Sequence, residues 1–357
     1  MPKKITVIRG AWSNQYESSA CFARALKKEG YDVWVASPPY PYAHEGEKMQ
    51  DVDYVLPERP YPHYYSYREI LDLSPRTPDV MFALDPRGAF NGEKPRGIFS
   101  CFYSTDNHRA GELHMRLIKE GQYDVVFVGQ GAYLPFFEHT APTVKLLWPA
   151  VEASRFPIPQ QEPVCDIVFV GHSGLTTAHD ILLNNPLIHA NKYDGVAPSY
   201  DYAERAEFLF RLSRDFQVRI YDKIWSTPHL SLALQEGRIG FNRSILHDLA
   251  LRNFEVMAAG RPLVTDDICL PPAQKSFRSI VADGICSRVY PSLYRPFYAN
   301  FDVEYEYVKR IIAELLEDEE ERGLMGYRAR NYALSRHTWD NRAREAMEIV
   351  ERAQRTC

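Results

Sequence analysis

Lys4-Ile5-Thr6-Val7-Ile8-Arg9 is followed by the turn Gly10-Ala11-Trp12-Ser13-Asn14, a stretch with Ala20, Ala23 and Leu26 at helical spacing, Gly30, and Asp32-Val33-Trp34-Val35-Ala36. The two apolar runs read as buried strands, the spacing between them as a helix, and Gly30 as its stop. A strand, a helix and a second strand form a βαβ unit, whose parallel strands need cover on both faces. Outward from it the alternation recurs at Val80–Leu84, Ile98–Phe102, Val125–Val128 and Val144–Trp148. Residues 37 to 66 interrupt it, rich in Pro and Tyr, and read as an irregular excursion over the first half.

The pattern then restarts. The Pro-studded stretch 151–163 contains Phe156-Pro157-Ile158-Pro159, and beyond it Asp166-Ile167-Val168-Phe169-Val170-Gly171 repeats the opening strand and turn. A helix over Tyr202–Arg214, strands Val218–Tyr221, Ile239–Asn242 and Pro262–Thr265, and a helix over Phe254–Ala259 follow. Three helical stretches, about 303–317, 319–335 and 339–355, close the chain. The expected architecture is α/β: two Rossmann-like, doubly wound domains at 1–150 and 164–336, a linker at 151–163, and a last helix within 337–357 returning to the first domain. Such a pair holds its ligand in a central cleft, near the carboxyl ends of both sheets.

Composition narrows the function. At 357 residues, 45% hydrophobic and 25% charged, the chain has the make-up of a folded two-domain protein. A net charge of -5 gives no electrostatic basis for unspecific nucleic-acid binding. Six cysteines stand singly, without a C-x-x-C pair, against zinc and against a disulfide framework. No apolar stretch is long enough to span a membrane, and Met1-Pro2-Lys3-Lys4 leads directly into a strand, so the cytoplasm is the expected location.

The most informative run is Arg252-Asn253-Phe254-Glu255-Val256-Met257-Ala258-Ala259-Gly260-Arg261-Pro262-Leu263-Val264-Thr265-Asp266: helix, glycine turn, buried strand. Phe254, Met257 and Ala258 fit a sheet-facing arc and leave Arg252 and Glu255 on another. A carboxylate there suits the vicinal hydroxyls of a ribose, and a guanidinium one turn earlier suits a diphosphate near a helix amino end. By spacing alone, a surface i,i+3 Arg-Glu pair explains the two residues equally well.

This run resembles the nucleotide-sugar motif of the GT-B glycosyltransferases, in particular the spore maturation protein B-like branch, with its Arg-x-Phe-Glu helix, Ala-x-Gly and strand. Phe169-Val170-Gly171, Ile220-Tyr221, Ile239-Gly240-Phe241-Asn242 and His337-Thr338-Trp339 with Arg342 fit the same pattern, as do Tyr103–His108, Tyr123–Phe127 and Leu147–Val151. The resemblance implies a GT-B fold, a nucleotide-sugar donor held by the second domain, and an acceptor of unspecified class held by the first. It assigns Glu255 to the ribose and Arg252 to the phosphates, with Asn253 and Phe254 in the same segment. Gly171, His172, Tyr221, Lys223, Asn242 and Arg243 complete the expected donor side, and Trp12, Ser13 and Asn14 the acceptor side. Two departures are visible: Asp222-Lys223 where relatives tend to have a glycine, and Leu270-Pro271-Pro272-Ala273 in place of a Phe-Glu-x-Gly segment.

For catalysis, Asp106 and His108 follow a first-domain strand and are the candidate base; an Asp-x-His at a helix start also serves as a simple N-cap. No Asp-x-Asp or other convincing ligand spacing suggests a metal, so none is expected, and no cofactor beyond the nucleotide-sugar substrate. A nicotinamide dehydrogenase is disfavoured because neither opening strand leads into G-x-G-x-x-G. A sugar-nucleotide epimerase of the same fold, and a degenerate nucleotide-binding scaffold, are the alternatives. Product analysis without acceptor separates the first, and loss of nucleotide binding identifies the second.

Overall fold

A computed structural model describes residues 3–9, 17–39, 51–59, 64–84, 89–105, 107–159, 161–171, 173, 199–221, 229–245, 249–268, 277–291 and 301–356, with the side chains of 107–110 and 199–203 excepted. The chain forms two compact units, Met1–Pro149 with Trp339–Cys357, and Ala150–Thr338.

The first unit contains β1 (Lys4–Ile8), α1 (Ser18–Lys28), β2 (Asp32–Ser37), β3 (Tyr54–Val55), β4 (Tyr64–Ser66), α2 (Tyr67–Leu73), β5 (Val80–Leu84), β6 (Ala89–Asn91), β7 (Phe99–Ser104), α3 (Asn107–Gly121), β8 (Val125–Val128), α4 (Leu134–Phe137) and β9 (Thr143–Leu146). Seven strands pair in parallel in the order β3-β2-β1-β5-β7-β8-β9, and β4 and β6 form a separate parallel pair. Every residue of β5, β7 and β8 is buried, which is why these strands read as unbroken apolar runs rather than as alternation.

Helix α1 is capped by Glu17, whose carboxylate accepts from the Ser19 and Ala20 amides, and it buries Phe22 edge-on against Phe82, 5.5 Å between ring centres. The C-terminal helix, whose range follows below, covers α1. Trp339 meets Phe22 edge-on at 6.2 Å, Lys28 pairs with Asp340, and Arg344 with Glu29. Arg342 Nε donates to the Trp148 carbonyl at 2.8 Å. The expected irregular excursion is partly ordered. Leu56 is buried after the two-residue β3, and Ser66 and Glu69 form a reciprocal capping box at the start of α2. Residues 40–50 and 60–63 of it lie outside the described residues.

The second unit contains β10 (Cys165–Val170), α5 (Ser199–Asp215), β11 (Val218–Tyr221), α6 (Leu230–Gln235), β12 (Gly237–Asn242), α7 (Leu251–Ala258), β13 (Leu263–Asp266), α8 (Phe277–Ile280), β14 (Ser287–Tyr290), α9 (Phe301–Glu317) and α10 (Glu319–Arg336); α11 (Trp339–Thr356) is the helix that joins the first unit. Its sheet is parallel, in the order β11-β10-β12-β13-β14. On one face Phe208, Phe241 and Tyr290 stack nearly parallel at 6.2–6.4 Å, and Tyr305, Val308, Ile312 and Leu315 of α9 close over them. Each such buried aromatic contributes about 1.5–3 kcal/mol.

Two glycines seat α7. Gly260 ends it with φ +78°, a left-handed conformation that favours glycine. Gly240 in β12 leaves no side chain beneath it, so that an added Cβ would stand 2.2 Å from Val256 Cγ1. Helix α7 therefore lies directly on the strand, and Asn253 through Ala259 are all buried rather than divided into a core arc and a solvent arc.

Candidate functional site

In the second unit β11 flanks β10 on one side and β12 on the other, so the winding reverses between β10 and β12. In open parallel sheets that reversal opens a crevice beyond the carboxyl ends of the two strands. The residues there are Val170-Gly171 and Asn242-Arg243-Ser244. Gly171 has φ +146°, and its amide donates to the Tyr221 carbonyl at 3.0 Å.

Asp266, fully buried at the end of β13, accepts from the Ser244 amide at 2.7 Å and from the Ser244 hydroxyl. This holds the chain leaving β12. Asn242 Nδ2 donates to Asn253 Oδ1 at 2.7 Å and ties the same strand end to the first turn of α7. Asn253 Nδ2 is buried without a hydrogen-bond partner among the described residues. Ala250 precedes α7 and makes no side-chain cap, so the first amides of the helix have no side-chain acceptor from their own cap.

Three charges meet at this end of α7. Glu255, with 3% of its side chain exposed, lies with Oε2 2.6 Å from Arg252 Nη1 and Oε1 3.7 Å from Arg155 Nη1. Burial pulls the Arg252 guanidinium below its usual pKa; Glu255 opposes that and Arg155 adds to it. One carboxylate faces two guanidiniums beside the positive end of a helix dipole, an arrangement that favours anions. Removing a single partner from such a buried group costs about 3–5 kcal/mol. The surface i,i+3 pair is thereby excluded, since Glu255 is buried and has a second cation.

The expected donor residues divide. Gly171, Asn242, Asn253, Phe254, Arg252 and Glu255 belong to the strand ends and the helix just described. Phe254 is buried under the His337 ring, stacked at 4.1 Å, and so offers the site no free face of its own. Arg243 is engaged elsewhere. Its guanidinium pairs with Glu304 and, at 3.1 Å, with Glu204, and lies 4.4 Å above the Phe208 ring. Burial opposes its charge, but Tyr290, Glu304 and Asp266 overcome that and hold its pKa well above the usual value. Burial in turn raises the Glu304 carboxyl, against the pull of Arg243.

Tyr221 turns its hydroxyl to Glu236, the residue preceding β12. Trp12, Ser13, Asn14, Asp106, His172 and Lys223 lie outside the described residues, and His108 is placed only by its backbone, in the first turn of α3. Arg155 was not anticipated from sequence. It sits in the Pro-studded stretch after Val151, and nothing local marks it as the partner of a residue in α7. A second unanticipated pair, Ser104 Oγ and His114 Nδ1 at 2.6 Å, is fully buried in the first unit and packs there against Phe102.

Among curated proteins none matches the sequence significantly. Solved structures resemble it over nearly its whole length: a glycosyltransferase from Rickettsia africae (10% identity, TM-score 0.58, 100% of each chain), HepE of Anabaena in complex with UDP and glucose (12%, 0.57, 98% of this chain and 99% of that one), and the catalytic domain of starch synthase IV from Arabidopsis thaliana bound to ADP and acarbose (10%, 0.58, 99% of each). The fold is that of the GT-B glycosyltransferases. Residues 204–348, which carry Arg252 and Glu255, match the model of a family described as glycosyl transferase-like.

Proposed function

We propose that the chain transfers a sugar from a nucleotide-sugar donor to an acceptor hydroxyl, with the donor held by the second unit. Glu255 accepts the ribose hydroxyls, and Arg252, with the amino end of α7, neutralises the diphosphate; Gly171, Asn242 and Asn253 border the same ligand, and a donor contact is assigned to His172. The observation that carries this reading is the buried Glu255 carboxylate shared by two arginines at an uncapped helix start. The nucleoside diphosphates bound to the Anabaena and Arabidopsis proteins suit the same chemistry.

In the transfer itself the acceptor oxygen forms a bond to the anomeric carbon while the bond from that carbon to the diphosphate oxygen breaks. The electron pair leaves on the diphosphate, where fixed positive charge lowers the barrier without a metal. The acceptor proton passes to a base, the role assigned to Asp106 or His108, with Trp12, Ser13 and Asn14 on the acceptor side. No helix of the described residues is long and apolar enough to cross a membrane; the cytoplasm is the location proposed.

The test is a calorimetric and thermal-shift screen against UDP, ADP, GDP and their sugars, with Glu255→Ala alongside. Saturable binding weakened by about 1–3 kcal/mol in a folded Glu255→Ala protein supports the assignment. Undiminished affinity in that variant removes Glu255 from the site, and absence of binding to the whole panel removes the transferase reading.

A further inference from the structure

Glu255 Oε2 and Arg252 Nη1 form a buried ion pair at 2.6 Å, in a geometry that makes no hydrogen bond between them. A donor that needs Arg252 for its diphosphate and Glu255 for its ribose must therefore draw apart a buried pair, and separating buried opposite charges is costly unless another partner takes one of them. Arg155 is that partner. It reaches the other carboxylate oxygen, its side chain is 4% exposed, and the segment carrying it is fixed at both ends. The Val151 amide donates to the His337 carbonyl at 2.8 Å. Arg330 donates at 2.6 Å to the carbonyls of Phe156 and of Ala258, joining Arg155's own segment to the last turn of α7.

Resting on the donor site proposed above, we infer that Arg155 is a positioning residue: it retains the Glu255 carboxylate so that Arg252 is released to the diphosphate when the donor binds. Arg155 touches neither diphosphate nor sugar. Its effect passes through Glu255, and it falls on the phosphate half of the ligand. Without Arg155 the carboxylate has one cation, Arg252 stays with it, and a diphosphate gains little over the bare nucleoside.

The experiment measures the affinity of the full chain for whichever of UDP, ADP and GDP binds most tightly and for its parent nucleoside, with melting temperatures throughout. The proteins are the unmodified chain, Arg155→Met, Arg155→Lys, Glu255→Gln and Arg155→Met/Glu255→Gln. Arg155→Met is expected to lower affinity for the diphosphate about tenfold, on the scale of one hydrogen bond to a charged group, and for the nucleoside much less. Arg155→Lys, which keeps the charge, should recover part of the loss. In the Glu255→Gln background, which lacks the carboxylate to be retained, adding Arg155→Met should change nothing further. A purely structural Arg155 would weaken nucleoside and diphosphate alike, and equal losses would overturn the inference. So would an unchanged Arg155→Met, or a full additional loss in the double variant. Failure of the unmodified chain to bind any of the three would instead remove the donor site and this role with it.

Discussion

Replacing Gly240 by alanine tests whether α7 is seated by close contact with β12. The added Cβ would stand 2.2 Å from Val256 Cγ1, 2.9 Å from Cγ2 and 3.1 Å from Cβ. Carbon atoms settle at about 3.5–4.0 Å, so Val256 has to retreat by about 1.5 Å. It cannot do so alone. Val256 is fully buried, and a valine in a helix has essentially one rotamer, so the helix moves with it. Overpacking of this kind costs about 1–3 kcal/mol, and we expect the upper end, read as a lowered urea midpoint. Because Glu255 immediately precedes Val256, nucleoside-diphosphate affinity should fall as well. Val256→Ala alone should cost about 2 kcal/mol through the two methyl groups lost. Gly240→Ala/Val256→Ala removes both Cγ atoms from the collision and should be more stable than Gly240→Ala by about 1 kcal/mol or more. A Gly240→Ala protein within about 0.5 kcal/mol of the parent, or a double variant whose loss is the sum of the single losses, would refute the argument.

Asp266→Asn leaves Ser244 with one carbonyl oxygen in place of two carboxylate oxygens; a loss of about 1.5–3 kcal/mol is expected in urea unfolding, and an unchanged midpoint would show that the Ser244 clamp is not needed. Glu69 is held below its ordinary value of 4.5 chiefly by the Ser66 amide. A depressed carboxyl adds stability that is present above its unfolded pKa and lost as pH falls through the folded one, so the midpoint difference between the parent and Glu69→Gln should shrink as pH drops below 4.5; a constant difference would refute this. Transfer activity should be unchanged by EDTA, since the charge neutralisation is assigned to arginine, and activity lost to EDTA and restored by a divalent cation would contradict that assignment.

Most of the architecture was legible because parallel strands buried on both faces carry their signal locally. Val80–Leu84, Val125–Val128 and Val218–Tyr221 run as read, and the three closing helices begin and end within two residues of their expected limits. The elements that escaped notice lie where that signal is weak. Strand β14, Ser287-Arg288-Val289-Tyr290, is an edge strand with a charged residue inside it, β3 has two residues, and α2 has seven. In the candidate site, Arg252 and Glu255 stand out because they are neighbours on one helix. Arg155 does not, because its relation to Glu255 exists only after folding. Arg243 shows the converse. Its position after a strand end suggested a ligand contact, whereas Glu204 and Glu304, distant in sequence, take its guanidinium into the core.

The sign of the whole protein is therefore no guide to the sign of this site. The chain carries a net charge of -5, spread over a surface where interactions are screened within about 8 Å at physiological ionic strength. The charges at α7 are buried: Arg155 and Arg252 both face Glu255, and the helix start adds a surplus of roughly half a positive charge. Being desolvated, this surplus acts on a small anion at short range and is weakly screened, while it presents no basic surface to a long polyanion. A negatively charged protein can in this way disfavour unspecific nucleic acid and still hold a diphosphate. Placing the surplus under two arginines that share one carboxylate, rather than leaving one arginine bare, keeps the cluster mostly neutralised when no ligand is present.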